Sequence, residues 1–112
     1  MSRGSRNIER HLKTYCLKHD AIFEKEKRGH FGLRYDFALT LQNDISVMIE
    51  FDGKQHEKGN DHFFKSNEAI IKYRNNDETR NYLNRTGKIN LIRIDDEHLP
   101  YSKFSNLISS FL

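Results

Sequence analysis

Two apolar segments that carry acidic residues constrain the fold most strongly. They are RYDFALTL at 34–41 and ISVMIEFD at 45–52, and three polar residues separate them. Apolar runs of this length joined by turn-forming residues predict two strands of an antiparallel hairpin. The hairpin therefore places the acids of one strand beside the acids of the other.

The length of the connecting loop decides which acids meet. If the loop is Gln42-Asn43-Asp44, Asp36 faces Glu50 directly, and opposed Cβ atoms lie roughly 4.5–5.5 Å apart. A two-residue loop shifts the pairing by one residue and weakens this interpretation. Because side chains alternate along a strand, Glu50 and Asp52 point to the same face. The pattern predicts three carboxylates in one small patch.

The remaining segments predict an α/β chain of the α+β type, with helices flanking a mixed sheet of about four strands. Ser5 is a suitable N-cap for the first helix, in which Ile8, Leu12, Tyr15 and Cys16 share one face. The predicted order is α-β-β-β-α-β-α, with helices over about 6–18, 61–84 and from Pro100, and strands over 21–26, 34–41, 45–52 and 89–94. The length and the lack of a linker predict one domain over residues 1–112.

Cysteine usage and hydropathy indicate an intracellular, cytoplasmic protein with no membrane partner. Cys16 is the single cysteine, which excludes an intrachain disulfide and a zinc knuckle built from cysteines. The polar N-terminus does not resemble a signal peptide, and no apolar run approaches the ~20 residues that span a membrane.

Basic charge is concentrated at the front of the chain. The net charge is +3, while residues 1–30 hold eight Lys or Arg and four Asp or Glu, a net +4. This balance mildly favours a polyanionic partner such as a nucleic acid.

The acidic patch indicates a metal site. A single acid is more typical of a solvated strand face or a turn, but three carboxylates this close repel one another unless a cation holds them. Hard oxygen ligands suit Mg²⁺ or Mn²⁺, and a water on such an ion can attack a phosphate. Lys54 can stabilise charge on that phosphate, and His56 can act as a general acid or base.

These residues resemble the PD-(D/E)XK nuclease superfamily. The similarity lies in RYDF, in IEFDGKQH, in a DETRNY helix and in Gly87 before INLIRI, over roughly residues 6–95. The nearest branch is that of small phage and bacterial nucleases akin to the very-short-patch repair endonuclease, including EDxHD homing enzymes. The resemblance implies a restriction-endonuclease-like core, divalent-metal cleavage of DNA and, for a phage-encoded chain, the host cytoplasm.

The resemblance also assigns roles to individual residues. Asp36 matches the first metal carboxylate and Glu50 the second acidic position, which makes the Phe51 carbonyl an expected metal ligand. Glu9 matches an acid that many members carry on the first helix. His56 matches the histidine of the EDxHD pattern.

The chain departs from the family at the lysine. If Glu50 is the second acid, Asp52 stands where lysine is expected and becomes an auxiliary metal ligand, and this is the assignment we favour. If Asp52 is the acid, Asp52-Gly53-Lys54 forms an intact D-x-K motif.

Basic residues outside this motif are candidate phosphate contacts, with Phe31 as a stacking or wedging residue. They are Arg3, Arg6, Arg10, Arg28, His30, Arg34 and Arg80. Expected partners are double-stranded or branched DNA, and a second copy of the chain in a homodimer. RNA stays open as a substrate.

Two other interpretations compete with the endonuclease. One is a catalytically inactive nuclease fold that binds DNA or a protein, which predicts a missing metal ligand. The other is an HNH-type site around His56, His62 and Asn67, which leaves the acidic hairpin unexplained.

Overall fold

The computed structural model describes residues 2–28, 33–53, 78–79, 81–85, 87 and 89–112. The elements are helix α1 (Arg3–Lys18), strands β1 (Ile22–Arg28), β2 (Arg34–Thr40), β3 (Ser46–Phe51) and β4 (Leu91–Ile94), and helix α2 (Tyr101–Ser109). Helical residues at 78–79 and 81–85, called the helical segment below, precede β4. The α+β fold and its predicted element order are confirmed, while most of the helix predicted over 61–84 lies outside the described residues.

The sheet is mixed and has the order β1-β2-β3-β4. The first three strands pair antiparallel, and β4 pairs parallel to β3 with Glu50 beside Arg93. A parallel pair needs a long crossover connection, and the chain between β3 and β4 contains the helical segment. β4 thus runs beside the acidic end of β3.

Helix α1 begins three residues earlier than predicted. Its N-cap is Ser2, whose side chain accepts a 3.1 Å hydrogen bond from the Ser5 amide. The prediction of Ser5 as the N-cap is therefore wrong. Both serines suit a cap, and Ser2 satisfies an amide that a helix start at Ser5 leaves outside the helix.

The β2–β3 connection is the predicted three-residue loop. The Asp44 amide donates to the Leu41 carbonyl, and the Leu41 amide donates to the Ile45 carbonyl, each over 2.9 Å. Asp44 has a φ of 66°, so the loop is a turn followed by a left-handed residue, a common three-residue hairpin connection. This geometry sets the register of the acidic strands.

Two buried clusters occupy opposite faces of the sheet, because neighbouring strand residues such as Met48 and Ile49 point to opposite sides. The main core lies under α1 and α2 and includes Leu12, Ile49 and Phe104. The second cluster contains Leu33, Tyr35, Leu83, Ile89 and Leu91.

Glycine allows α1 to approach the end of β3 closely. A Cβ atom at Gly4 would overlap the aromatic ring of Phe51. The first turn of α1 therefore lies directly against the residue that follows Glu50. Neither described helix has the length and apolarity to cross a membrane.

Candidate active site

Asp36 lies where β2 and β3 separate. Their pairing runs from Thr40 opposite Ser46 to Phe37 opposite Ile49, and the same register places Asp36 opposite Glu50 as the next pair. The predicted register is therefore confirmed.

Beyond the last of these pairs, a side chain of β2 accepts a hydrogen bond from the backbone of β3. In an antiparallel pair every second residue pair exchanges backbone hydrogen bonds. In this register Phe51 would be expected to bond to Tyr35. The Phe51 amide instead donates a 2.8 Å hydrogen bond to Oδ2 of Asp36. The hydrogen bond fixes the Asp36 carboxylate beside the Glu50–Phe51 backbone.

The alternation of side chains between the two faces of β2 is interrupted at Asp36. Tyr35 packs in the second cluster and Phe37 in the main core, although residues two apart in a strand normally share a face. Across the other edge of β2, Glu26 has a φ of 52° within β1. A positive φ at a non-glycine residue is uncommon and costs on the order of 1–2 kcal/mol. Both irregularities occur at the level of Asp36.

Asp36 lines a surface cleft of about 330 Å³. The other described lining residues are Ser5 of α1, Lys25 and Glu26 of β1, and Phe37 of β2. A cleft of this volume accommodates a phosphate group together with several water molecules. Two acidic residues, Asp36 and Glu26, and one lysine, Lys25, therefore line the same ligand-sized space.

Glu9 of α1 contacts this cleft through a lysine. Its Oε1 lies 2.9 Å from Nζ of Lys25, and its Oε2 lies 3.5 Å from Nζ of Lys13. The neighbouring ammonium group of Lys25 is the largest cause that lowers the pKa of Glu9 below its usual value, so Glu9 is an anion at neutral pH. The acid predicted to bind metal is an ion-pair partner in the structure.

Asp52 is also held by a cation. Arg93 of β4 donates to its two carboxylate oxygens, with Nε–Oδ2 at 2.7 Å and Nη2–Oδ1 at 2.8 Å. The third guanidinium nitrogen of Arg93, Nη1, donates a 3.0 Å hydrogen bond to Oδ1 of Asn81 in the helical segment. Bidentate pairs of this kind are strong and directional. They tie the end of β3 to β4 and to the helical segment.

The structure thus places the predicted acids in different surroundings. Asp36 bonds the backbone next to Glu50, whereas Asp52 pairs with Arg93 and Glu9 with Lys25. Among the described residues, no three His, Cys, Asp or Glu side chains lie close enough together to share a metal ion. Asp36 and Glu50 are opposite each other in the strand register, and Mg²⁺ is usually bound by one or two carboxylates together with waters and substrate oxygens.

Several predicted site residues lie outside the described part of the chain: Lys54, His56, His30, Phe31 and Arg80. The described basic candidates are Arg3, Arg6, Arg10, Arg28 and Arg34, all with exposed side chains. Those on α1 fall on one helical stripe, and Arg28 is opposite Arg34 at the ends of β1 and β2. The exposed basic groups therefore lie on elements that border the cleft.

Two charged residues near the site were missed by sequence reasoning. Arg93 is the single charged residue in the strand INLIRI, which is a signal for a partner on the neighbouring strand. Lys25 sits in the charged run EKEKR, where nothing distinguishes it from Lys27.

Comparisons of the chain with protein-family models, with curated proteins and with solved structures found no match.

Proposed function

We propose that the chain is a divalent-metal-dependent endonuclease that hydrolyses phosphodiester bonds of DNA. The observation that carries the proposal is the 2.8 Å hydrogen bond from the Phe51 amide to the Asp36 carboxylate, at the point where β2 and β3 separate. This bond places Asp36 beside the Glu50–Phe51 backbone and at the wall of an open cleft. The resemblance to PD-(D/E)XK nucleases assigns the metal to these same residues.

The donor set suits Mg²⁺ or Mn²⁺. Carboxylate oxygens of Asp36 and Glu50 and the Phe51 carbonyl are hard oxygen donors of the kind these ions prefer. A bound ion would supply an activated water and would neutralise charge on the phosphate. The Phe51 amide binds Oδ2 of Asp36, which fixes the orientation of the carboxylate before any ligand arrives.

Asp52 and Glu9 are paired with cations and are not metal ligands in this arrangement. Arg93 binds both oxygens of Asp52, so Asp52 secures the end of β3 just beyond Glu50. The resemblance favours Glu50 over Asp52 as the second metal carboxylate. The exposed arginines of α1, β1 and β2 supply contacts to the phosphates that flank the cleft.

The experiment is cleavage of supercoiled plasmid DNA with Mg²⁺, with Mn²⁺ or with EDTA, by the wild type and by Asp36→Ala. Nicking or linearisation that requires the metal and disappears in the variant supports the proposal. One site per chain gives nicks, and linear product indicates that two chains act together. Full activity in Asp36→Ala would contradict the assignment of Asp36 to the metal.

A second candidate function is a binding module with the same fold. It is favoured by the ion pairs of Asp52 with Arg93 and of Glu9 with Lys25, which engage two of the predicted acids. This candidate predicts no cleavage of plasmid, single-stranded or branched DNA. It also predicts retarded migration of labelled duplex DNA in the presence of EDTA.

A further inference from the structure

We propose that Lys25 binds the scissile phosphate in the Asp36 cleft and that Glu9 positions the Lys25 ammonium group. The inference rests on the function proposed above and names a cation for that site within the described residues. It also assigns Glu9 a role other than metal binding.

Lys25 occupies the right place for this role. It lines the cleft together with Asp36, on the strand that pairs with β2, where it is opposite Phe37. Lys25 is therefore one residue away, across the strand pair, from the carboxylate that we assign to the metal.

The Lys25 side chain is held and still accessible. Its Nζ lies 2.9 Å from Oε1 of Glu9, while the side chain is 51% exposed. An ammonium group has three N–H donors, and the ion pair with one Glu9 oxygen leaves donors available. The remaining donors suit phosphate oxygens, which lysine binds as a point charge.

The surroundings of Glu9 suit a residue that positions a lysine rather than a solvated surface acid. Its side chain is only 18% exposed, and both of its oxygens face lysines. The neighbouring pair Lys27–Glu24 has a similar distance of 3.0 Å, but the Glu24 side chain is 60% exposed. A metal ion at Glu9 would have to displace two ammonium groups, whereas a positioning role keeps both contacts.

Lys27 provides a matched control. It lies on the same strand as Lys25, pairs with a glutamate and has a similarly exposed side chain at 47%. It lines a different depression, shared with Ala38, Thr40 and Met48. Lys27→Gln removes the same charge from the same strand without touching the Asp36 cleft.

The first test measures single-turnover cleavage of a labelled duplex by Lys25→Gln, Lys25→Arg and Lys27→Gln. Lys25→Gln should cut at least about ten-fold more slowly, because a charged contact to the reacting phosphate is lost. Lys25→Arg should recover part of the rate, and Lys27→Gln should stay within about two-fold of the wild type. In EDTA, Lys25→Gln should reduce the dependence of DNA affinity on salt by about one phosphate contact.

The second test separates positioning by Glu9 from metal binding. Mn²⁺ titrated without DNA should bind Glu9→Gln within about two-fold of the wild-type affinity, since lost metal ligation would cost about ten-fold or more. Glu9→Gln should slow cleavage, and adding it to Lys25→Gln should cause no further loss, because both changes act on one contact.

Normal cutting by Lys25→Gln, or a weakened Mn²⁺ site in Glu9→Gln, would overturn this inference alone, because a cutting wild type leaves the proposed nuclease standing. A wild type that cuts no DNA with either metal would overturn both proposals.

Discussion

Asp52→Asn separates the two assignments of the acidic motif. The Asp52–Arg93 pair has two charge-assisted bonds of 2.7 and 2.8 Å, and the side chains are 17% and 25% exposed. Breaking a buried pair costs about 3–5 kcal/mol, and an exposed pair contributes about 0–1 kcal/mol. This pair lies between those limits, so its loss should lower the free energy of unfolding by about 2 kcal/mol.

The effect is large enough to measure by thermal unfolding. At about 4 °C per kcal/mol for a domain of this size, Tm should fall by about 8 °C. Arg93→Met should cause a similar loss, and the double variant should lose less than the two losses together. Lys27→Gln, which breaks an exposed pair, should change stability by less than about 0.5 kcal/mol.

Metal affinity gives the refuting result. If Asp52 supports the strand end, Asp52→Asn should bind Mn²⁺ within about two-fold of the wild type, since Glu50 and Asp36 remain. An unchanged Tm with at least about ten-fold weaker Mn²⁺ binding would refute this reasoning and favour the Asp52-Gly53-Lys54 motif.

Three further predictions concern the core, Glu9 and the thiol. Phe104→Ala should lower the free energy of unfolding in denaturant by about 3–5 kcal/mol, because this side chain is fully buried. Leu107 is 41% exposed on the same helix, so Leu107→Ala should cost less than about 1 kcal/mol. Equal losses would contradict the packing. Folding lowers the pKa of Glu9 below its ordinary value of 4.5, so the ionised side chain stabilises the fold above pH 4.5. This contribution is lost as the pH falls through the lower pKa of the folded state. Glu9→Gln should therefore reduce the loss of stability on the acid side of a curve of unfolding free energy against pH, and an unaltered curve would exclude this linkage. Burial raises the pKa of the Cys16 thiol, which lowers its reactivity in the native protein. Iodoacetamide at pH 8 should modify the thiol at least about ten-fold faster in denaturant than in the native protein. Equal rates would show that the native thiol is accessible.

The parts of the fold that depend on local signals were predictable. Alternating apolar residues and a polar three-residue loop determine the β2–β3 hairpin, and its register places Asp36 opposite Glu50. The start of α1 was not predictable, because Ser2 and Ser5 are equally suitable caps and only the helix geometry chooses between them.

The ion pairs around the site depend on long-range packing. Asp52 meets Arg93 because β4 joins β3 in parallel after a long crossover, which no local pattern encodes. Glu9 meets Lys25 because α1 packs on the sheet through the main core, and this placement follows from tertiary packing. The sequence could therefore locate the acids and could not say which of them a cation already holds.

The most direct test of the nuclease proposal compares the wild type with Glu50→Ala on supercoiled plasmid over a range of Mg²⁺ concentrations. The proposal predicts cleavage by the wild type that rises with Mg²⁺ and stops with EDTA, and no cleavage by a Glu50→Ala protein that still folds and binds DNA. Equal cleavage by both proteins, or a wild type that binds DNA and never cuts it, would contradict the account.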